Sequence, residues 1–194
     1  MKKIYAFDLD GTVTTVETLP LLAAELGLSK EIKFLTALTL DGSIPFEMSF
    51  QIRYRILKRI PVERIQKIMS KVPLDGAIEN FIRDNKNDCV IVTGNLDRWI
   101  EPIARRLGCE IYSSTVGSDG RLMILDKGKT IRRLKKNADR VISIGESFND
   151  VSMMRAADVS IAYAGVHRPV GAALSAADYV TFDGETLCRL LKAL

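Results

Sequence analysis

The chain has 194 residues, enough for one hydrophobic core and a small insert. Hydrophobic residues make up 47% and charged residues 27%, an ordinary globular balance, and no apolar run reaches the ~18–20 residues that span a bilayer. The net charge of +4 gathers at 53–59 and 132–136, where no interleaved aromatics and no nucleic-acid-binding motif appear. These clusters read as solvated helix faces, so neither a nucleic acid nor a membrane is expected as a partner. The apolar run in MKKIYAFDLD is too short for a signal peptide. Cys89, Cys109 and Cys188 are odd in number, widely spaced and without a CxxC, as in a reduced, cytoplasmic protein.

In chain order, residues 3–7 (KIYAF) predict a strand ending at Asp8. Residues 17–72 contain no convincing strand but four helical patterns, at about 20–27, 29–40, 46–59 and 62–70. Asp41-Gly42-Ser43 breaks the middle of this region, and Pro61 can open its last helix. Further strands are expected at 88–93, 140–144, 158–162 and 178–182, and a small hairpin over 114–125 turning at Asp119-Gly120. Helices are expected at 76–85, 97–107, 129–137, 149–157, 168–176 and 185–193. The alternation predicts an α/β fold, a doubly wound parallel sheet with ligands beyond the carboxyl ends of its strands. The division expected is a core of 1–15 and 74–194 with a helical cap of 16–73 inserted after the first strand.

Asp8 and Asp10 are two residues apart in DLDGT. If the strand continues to Asp10, both carboxylates point to one face, where a cation would offset their repulsion. A strand followed by an Asx turn is the competing reading. Three further blocks follow in order: Thr93-Gly94-Asn95 at a strand end, Lys127 in DKGKT, and Glu146 with Asn149-Asp150 in GESFND. Together the four blocks resemble the haloacid dehalogenase-like superfamily, and within it the phosphoserine-phosphatase-like branch, over nearly the whole chain.

The resemblance implies a Mg²⁺-dependent phosphatase working through an aspartyl-phosphate. It assigns Asp8 as nucleophile and Asp10 as general acid and base. Thr93, Gly94 and Asn149 would contact phosphate, and Lys127 would neutralise charge, with Lys129 a rival for that role. The metal would take Asp8, the backbone carbonyl of Asp10 and Glu146, with Asp150 behind them. The family usually has Asp where Glu146 stands.

Phe46, Phe50, Arg53 and Leu57 share one face of the helix at 46–59, which puts a guanidinium on a largely apolar stripe. Its partner is either a carboxylate of the same helical region or a substrate carboxylate. The resemblance implies the latter, with Glu17 meeting a substrate amino group and Phe46 facing the substrate. The expected ligand is a small phosphorylated metabolite, phosphoserine first. A phosphatase or phosphotransferase for another metabolite, such as a sugar phosphate, and a catalytically silent homologue remain alternatives, and a homodimer is left open. Gly11, Thr93-Gly94-Asn95 and the loop at 164–171 depart from that branch's usual residues. His167, the only histidine, has no required step and is expected on the surface or in the substrate loop.

Overall fold

A computed structural model describes residues 2–194. Its sheet has seven strands in the order β4-β3-β2-β1-β5-β6-β7. These are β1 (Lys3–Phe7), β2 (Cys89–Leu96), β3 (Glu110–Val116), β4 (Leu122–Met123), β5 (Arg140–Gly145), β6 (Val159–Tyr163) and β7 (Tyr179–Thr181). All neighbours pair in parallel except β3 and β4, which form the hairpin turned at Gly117–Gly120. The chain winds outward from β1 in one direction and then in the other, so the crevice at the end of β1 is the ligand position of a doubly wound sheet.

Alternation along β1 divides the core. Ile4 and Ala6 face a cluster with Val90, Val92, Ile131, Val141 and Met154. Tyr5 and Phe7 face a larger cluster with Ile78, Phe81, Trp99, Ile103 and Leu187. The first face is covered by α7 (Lys127–Leu134), α8 (Val151–Ala156) and α9 (Gly171–Ala176). The second is covered by α5 (Gly76–Asp84), α6 (Asp97–Leu107) and α10 (Gly184–Ala193). Asp75, Asp126 and Asp183 cap α5, α7 and α10, each side chain accepting from backbone N–H groups of the first turn.

Four helices lie between β1 and α5: α1 (Thr18–Ala23), α2 (Ser29–Leu40), α3 (Phe46–Leu57) and α4 (Val62–Met69). The chain enters and leaves this stretch through adjacent segments. Thr14 bridges Leu74, the Thr15 N–H donates to the Pro73 carbonyl at 3.1 Å, and the Asp75 N–H donates to Val13 at 2.9 Å. Leu22, Ile32, Phe50, Leu57, Ile65 and Met69 join the larger cluster, and α4 is tied to α6 where Gln66 donates to Glu101 at 2.7 Å.

Two expectations change. β3 begins at Glu110 and pairs along its first half with β2, a strand beyond the short hairpin that the sequence suggested. Its residues are mostly half-buried and its partner lies about twenty residues upstream, so no local alternation announces it. The helix expected from 129 starts at Lys127, because Asp126 caps it. No helix of the described residues is long and apolar enough to cross a membrane.

Candidate active site

β1 stops at Phe7, and the chain turns at once. Asp10 (φ −74°, ψ 118°) and Gly11 (φ 80°, ψ −3°) occupy the central positions of a type II turn, where the second residue needs positive φ. Asp8 and Asp10 therefore share a pocket through this turn, not through continued pleating. The Thr14 hydroxyl closes the loop, donating to the Leu9 carbonyl and accepting from the Gly11 N–H at 3.2 Å.

Strand β5 ends beside it. Asp8, Glu146 and Asp150 bring carboxylate oxygens within 4.8 Å of one another, and all three residues are buried. One ammonium group serves two of them: Lys127 Nζ donates to Asp8 Oδ1 and, at 2.7 Å, to Asp150 Oδ1. Asp150 Oδ2 accepts from the N–H groups of Glu146 (3.0 Å) and Ser147 (2.9 Å) and from the Ser147 hydroxyl (2.8 Å). Lys129 points to solvent, which leaves Lys127 as the lysine of the pocket.

Burial, with the charge of Asp150 adding to it, pushes the carboxyls of Asp8 and Glu146 well above the usual carboxylate range. Burial also opposes charge on Lys127, but Asp150 and Asp8 prevail and raise its pKa. Lys127 is thus an ammonium ion short of the charge needed to balance three acids.

Glu146 uses its two oxygens differently. Its Oε2 accepts from the Thr12 hydroxyl at 2.7 Å, and its buried Oε1 has no hydrogen-bond partner. An unpartnered carboxylate oxygen in an all-oxygen, acid-rich, desolvated cluster fits a hard divalent cation.

β2 supplies the opposite wall. Its register against β3 shifts between Val92 and Leu96, so Thr93, Gly94 and Asn95 form an irregularity at the strand end. Thr93 Oγ1 accepts from the Asn95 N–H at 3.0 Å. A Cβ on Gly94 would collide with the Phe46 ring, so only glycine lets α3 come so close. Asn149 also lines the pocket.

From the α1–α4 side come Glu17, Phe46, Phe50 and Arg53. Arg53 is 4% exposed. Its Nε reaches the Ser49 carbonyl at 3.4 Å, its Nη1 the Thr36 hydroxyl at 3.3 Å, and its Nη2 has no partner. No carboxylate pairs with it among the described residues. Burial lowers its pKa to about 10, against the pull of Glu17 and Asp10. The Phe46 and Phe50 rings stack at 5.3 Å with the guanidinium 5.8–5.9 Å from their centres. Burial raises the Glu17 carboxyl, while a 3.0 Å contact with His167 Nε2 opposes the shift.

The expected site residues other than Lys129 come together here: Asp8, Asp10, Glu17, Phe46, Arg53, Thr93, Gly94, Lys127 and Asn149 line the pocket, and Glu146 and Asp150 join Asp8 in the acid cluster. Thr12, Asn95 and Ser147, which lie inside the sequence blocks, and Thr18 had no role expected of them. Ser147 alone had a local signal, the Ser-x-x-Asp of a capping box. Thr12 and Asn95 act through contacts made far along the chain, and Thr18 through Asp10, eight residues before it across the turn.

Residues 5–155 match the model of the haloacid dehalogenase-like hydrolases. The chain belongs to this family of hydrolases. It is 29% identical over 181 residues to phosphoserine phosphatase of Methanocaldococcus jannaschii, covering 84% of this chain and 85% of that one. Phosphoserine phosphatase of Campylobacter jejuni subsp. doylei is 27% identical over 183 residues, covering 84% of this chain and 87% of its own. A solved phospho-aspartyl intermediate analogue of phosphoserine phosphatase superposes with a TM-score of 0.82 at 25% identity, over 100% of this chain and 99% of that chain. The relatives that this hydrolase resembles along most of its length are thus phosphatases.

Proposed function

We propose that the protein is a cytoplasmic, Mg²⁺-dependent phosphomonoesterase for a small phosphorylated amino acid, phosphoserine first, with residues 16–73 acting as a cap over the core of 1–15 and 74–194. The observation that carries the reading is the pocket's two-sided chemistry. Asp8, Asp10 and Lys127 stand on one side, and an unpaired buried guanidinium faces them from the other.

Asp8 attacks phosphorus and the ester bond breaks, giving an aspartyl-phosphate. Asp10 gives its proton to the departing oxygen and then takes one from the water that hydrolyses the acyl phosphate. The Thr93 hydroxyl and the backbone at Gly94 bind phosphoryl oxygens, with Asn149 beside them. Lys127 holds Asp8 in place and offsets negative charge as it spreads over the phosphoryl group. Asp8, Glu146 and the carbonyl of Asp10 would hold Mg²⁺, with Asp150 supporting them, and the bound ion supplies positive charge at the phosphoryl oxygens.

On the cap side, Arg53 Nη2 offers a fork for the substrate carboxylate, and Phe46 closes over the ligand. The Glu17 carboxylate, steadied by His167, accepts from the substrate ammonium. A phosphoserine zwitterion satisfies all three demands, whereas a sugar phosphate would leave a buried guanidinium unpaired.

Phosphate release across a panel of phosphorylated amino acids and sugars, with Mg²⁺ and with chelator, tests the reading. Metal-dependent release that favours phosphoserine is expected. Turnover confined to sugar phosphates would remove the amino-acid assignment, and no release from any substrate would remove the phosphatase assignment.

A further inference from the structure

The acid Asp10 is held in a way that its own motif does not explain. Asn95 is 3% exposed, and both hydrogens of its amide are committed. Nδ2 donates to Asp10 Oδ2 at 3.1 Å and to the Thr18 hydroxyl at 2.9 Å. Its Oδ1 accepts from the Leu96 N–H at 2.8 Å, so a flipped amide would set donor against donor and acceptor against carboxylate. The Thr18 hydroxyl accepts a hydrogen bond from Asn95 and so directs its own hydrogen to Asp10 Oδ1. The Thr18 N–H donates to the same Oδ1 at 3.1 Å.

The two oxygens of Asp10 are therefore unequal. Oδ1 accepts two donors and is saturated. Oδ2 accepts one and keeps an acceptor position on a side chain that lines the pocket. We propose that Asn95 is a positioning residue that, with Thr18, fixes Asp10 so that Oδ2 is the oxygen exchanging the proton with the leaving group.

This assignment rests on Asp10 being the general acid of the proposed reaction. In the first step Asp8 forms its bond to phosphorus, the bond from phosphorus to the ester oxygen breaks, and the proton on Asp10 Oδ2 passes to that oxygen. In the second, water oxygen bonds to phosphorus, the bond from phosphorus to Asp8 breaks, and the water's proton returns to Oδ2. A side chain that rotates about Cβ–Cγ presents the wrong oxygen in either step, and the amide of Asn95 prevents that rotation.

The departing group separates this role from a structural one. An alkoxide needs its proton, whereas p-nitrophenolate leaves readily without one. The parameter to compare is kcat/KM, which reads events only through departure of the ester oxygen. It is measured on phosphoserine and on p-nitrophenyl phosphate for wild type, Asp10→Asn, Asn95→Leu, Asn95→Ser, Thr18→Val and Thr18→Ser.

Asp10→Asn sets the scale and is expected to lose far more on the alkyl ester. Asn95→Leu and Thr18→Val should show the same selectivity at smaller size, about tenfold on the alkyl ester and little on the aryl ester. Thr18→Ser keeps the hydroxyl and should stay near wild type. If Asn95→Leu does not fold, Asn95→Ser gives the same reading, since its hydroxyl ends one bond short of the amide nitrogen. Equal losses on both esters, or none, in the Asn95 variants while Asp10→Asn is selective would overturn the role of Asn95. An unselective Asp10→Asn would overturn the general-acid reading, and this inference with it.

Discussion

The two walls of the pocket are finished to different degrees. On the core side, Lys127, Asp8 and Asp150 satisfy one another, Ser147 completes Asp150, and Thr12 holds one oxygen of Glu146, so that the buried Glu146 Oε1 is left without a partner. On the side of the proposed cap, Arg53 makes two long hydrogen bonds, of 3.3 and 3.4 Å, and leaves Nη2 unpaired. A buried guanidinium nitrogen without a partner is costly, and the proposed substrate carboxylate would supply the missing acceptor. The lesson is a division of labour. On the proposed reading, the core side fixes its lysine and most of its carboxylate oxygens before binding and leaves one Glu146 oxygen for the cation, and the cap leaves Arg53 Nη2 for the ligand.

The harshest way to break the core wall is Lys127→Met. It leaves Asp8 and Asp150 buried without their shared cation, and roughly 3–5 kcal/mol of stability should be lost in denaturant unfolding, together with turnover. An unchanged unfolding midpoint would mean that the cluster does not depend on its lysine.

Glu146 offers a milder break. Glu146→Gln removes charge but keeps length, and should weaken Mg²⁺ binding in titration calorimetry and cut turnover sharply. Glu146→Asp keeps the charge and should retain measurable turnover. A Gln variant that binds and turns over like wild type would rule Glu146 out as a ligand.

Acidity sharpens the same contrast without a mutation. Asp8 and Glu146 have folded pKa values well above the usual range, because of burial and then the charge of Asp150. An unfolded chain releases these protons near pH ~4, while the folded chain still holds them. From there up to the raised values the folded state binds more protons, so metal-free stability falls as pH rises through that window. Mg²⁺ bound at these acids, as proposed, would relieve the repulsion between the ionised carboxylates. The gain in Tm on adding Mg²⁺ to chelator-treated protein should therefore grow from about pH 5 to about pH 8. A gain independent of pH would place the ion elsewhere.

The smallest effect is expected at the edge of the cap wall. His167→Ala removes the 3.0 Å contact that orients Glu17. It should raise KM for a phosphorylated amino acid a few-fold, in line with the ~1 kcal/mol of one hydrogen bond, and leave kcat nearly unchanged. A change in kcat alone would give the histidine a different role.

Legibility in the sequence follows the range of the interactions. DLDGT was readable because the type II turn lies within four residues and needs a glycine at its third position. The stripe of Phe46, Phe50, Arg53 and Leu57 was readable because helix periodicity is local, and it correctly buried Arg53. Lys127 and Lys129 could not be separated by composition. The helix start at Asp126 turns one inward and the other outward. Thr12 and Glu146 are 134 positions apart, and Asn95 and Asp10 are 85 apart. Nothing in either neighbourhood predicts those meetings, because the parallel pairing of β1 with both β2 and β5 creates them.

The contrast between the walls can be tested most directly by removing one group from the substrate and one from the protein. Phosphoethanolamine is phosphoserine without its carboxylate. Wild type should prefer phosphoserine in kcat/KM by about tenfold or more, and Arg53→Met should erase most of that preference by losing activity on phosphoserine alone. Equal activity of wild type on both esters, or a preference that survives Arg53→Met, would contradict a cap that waits for a carboxylate.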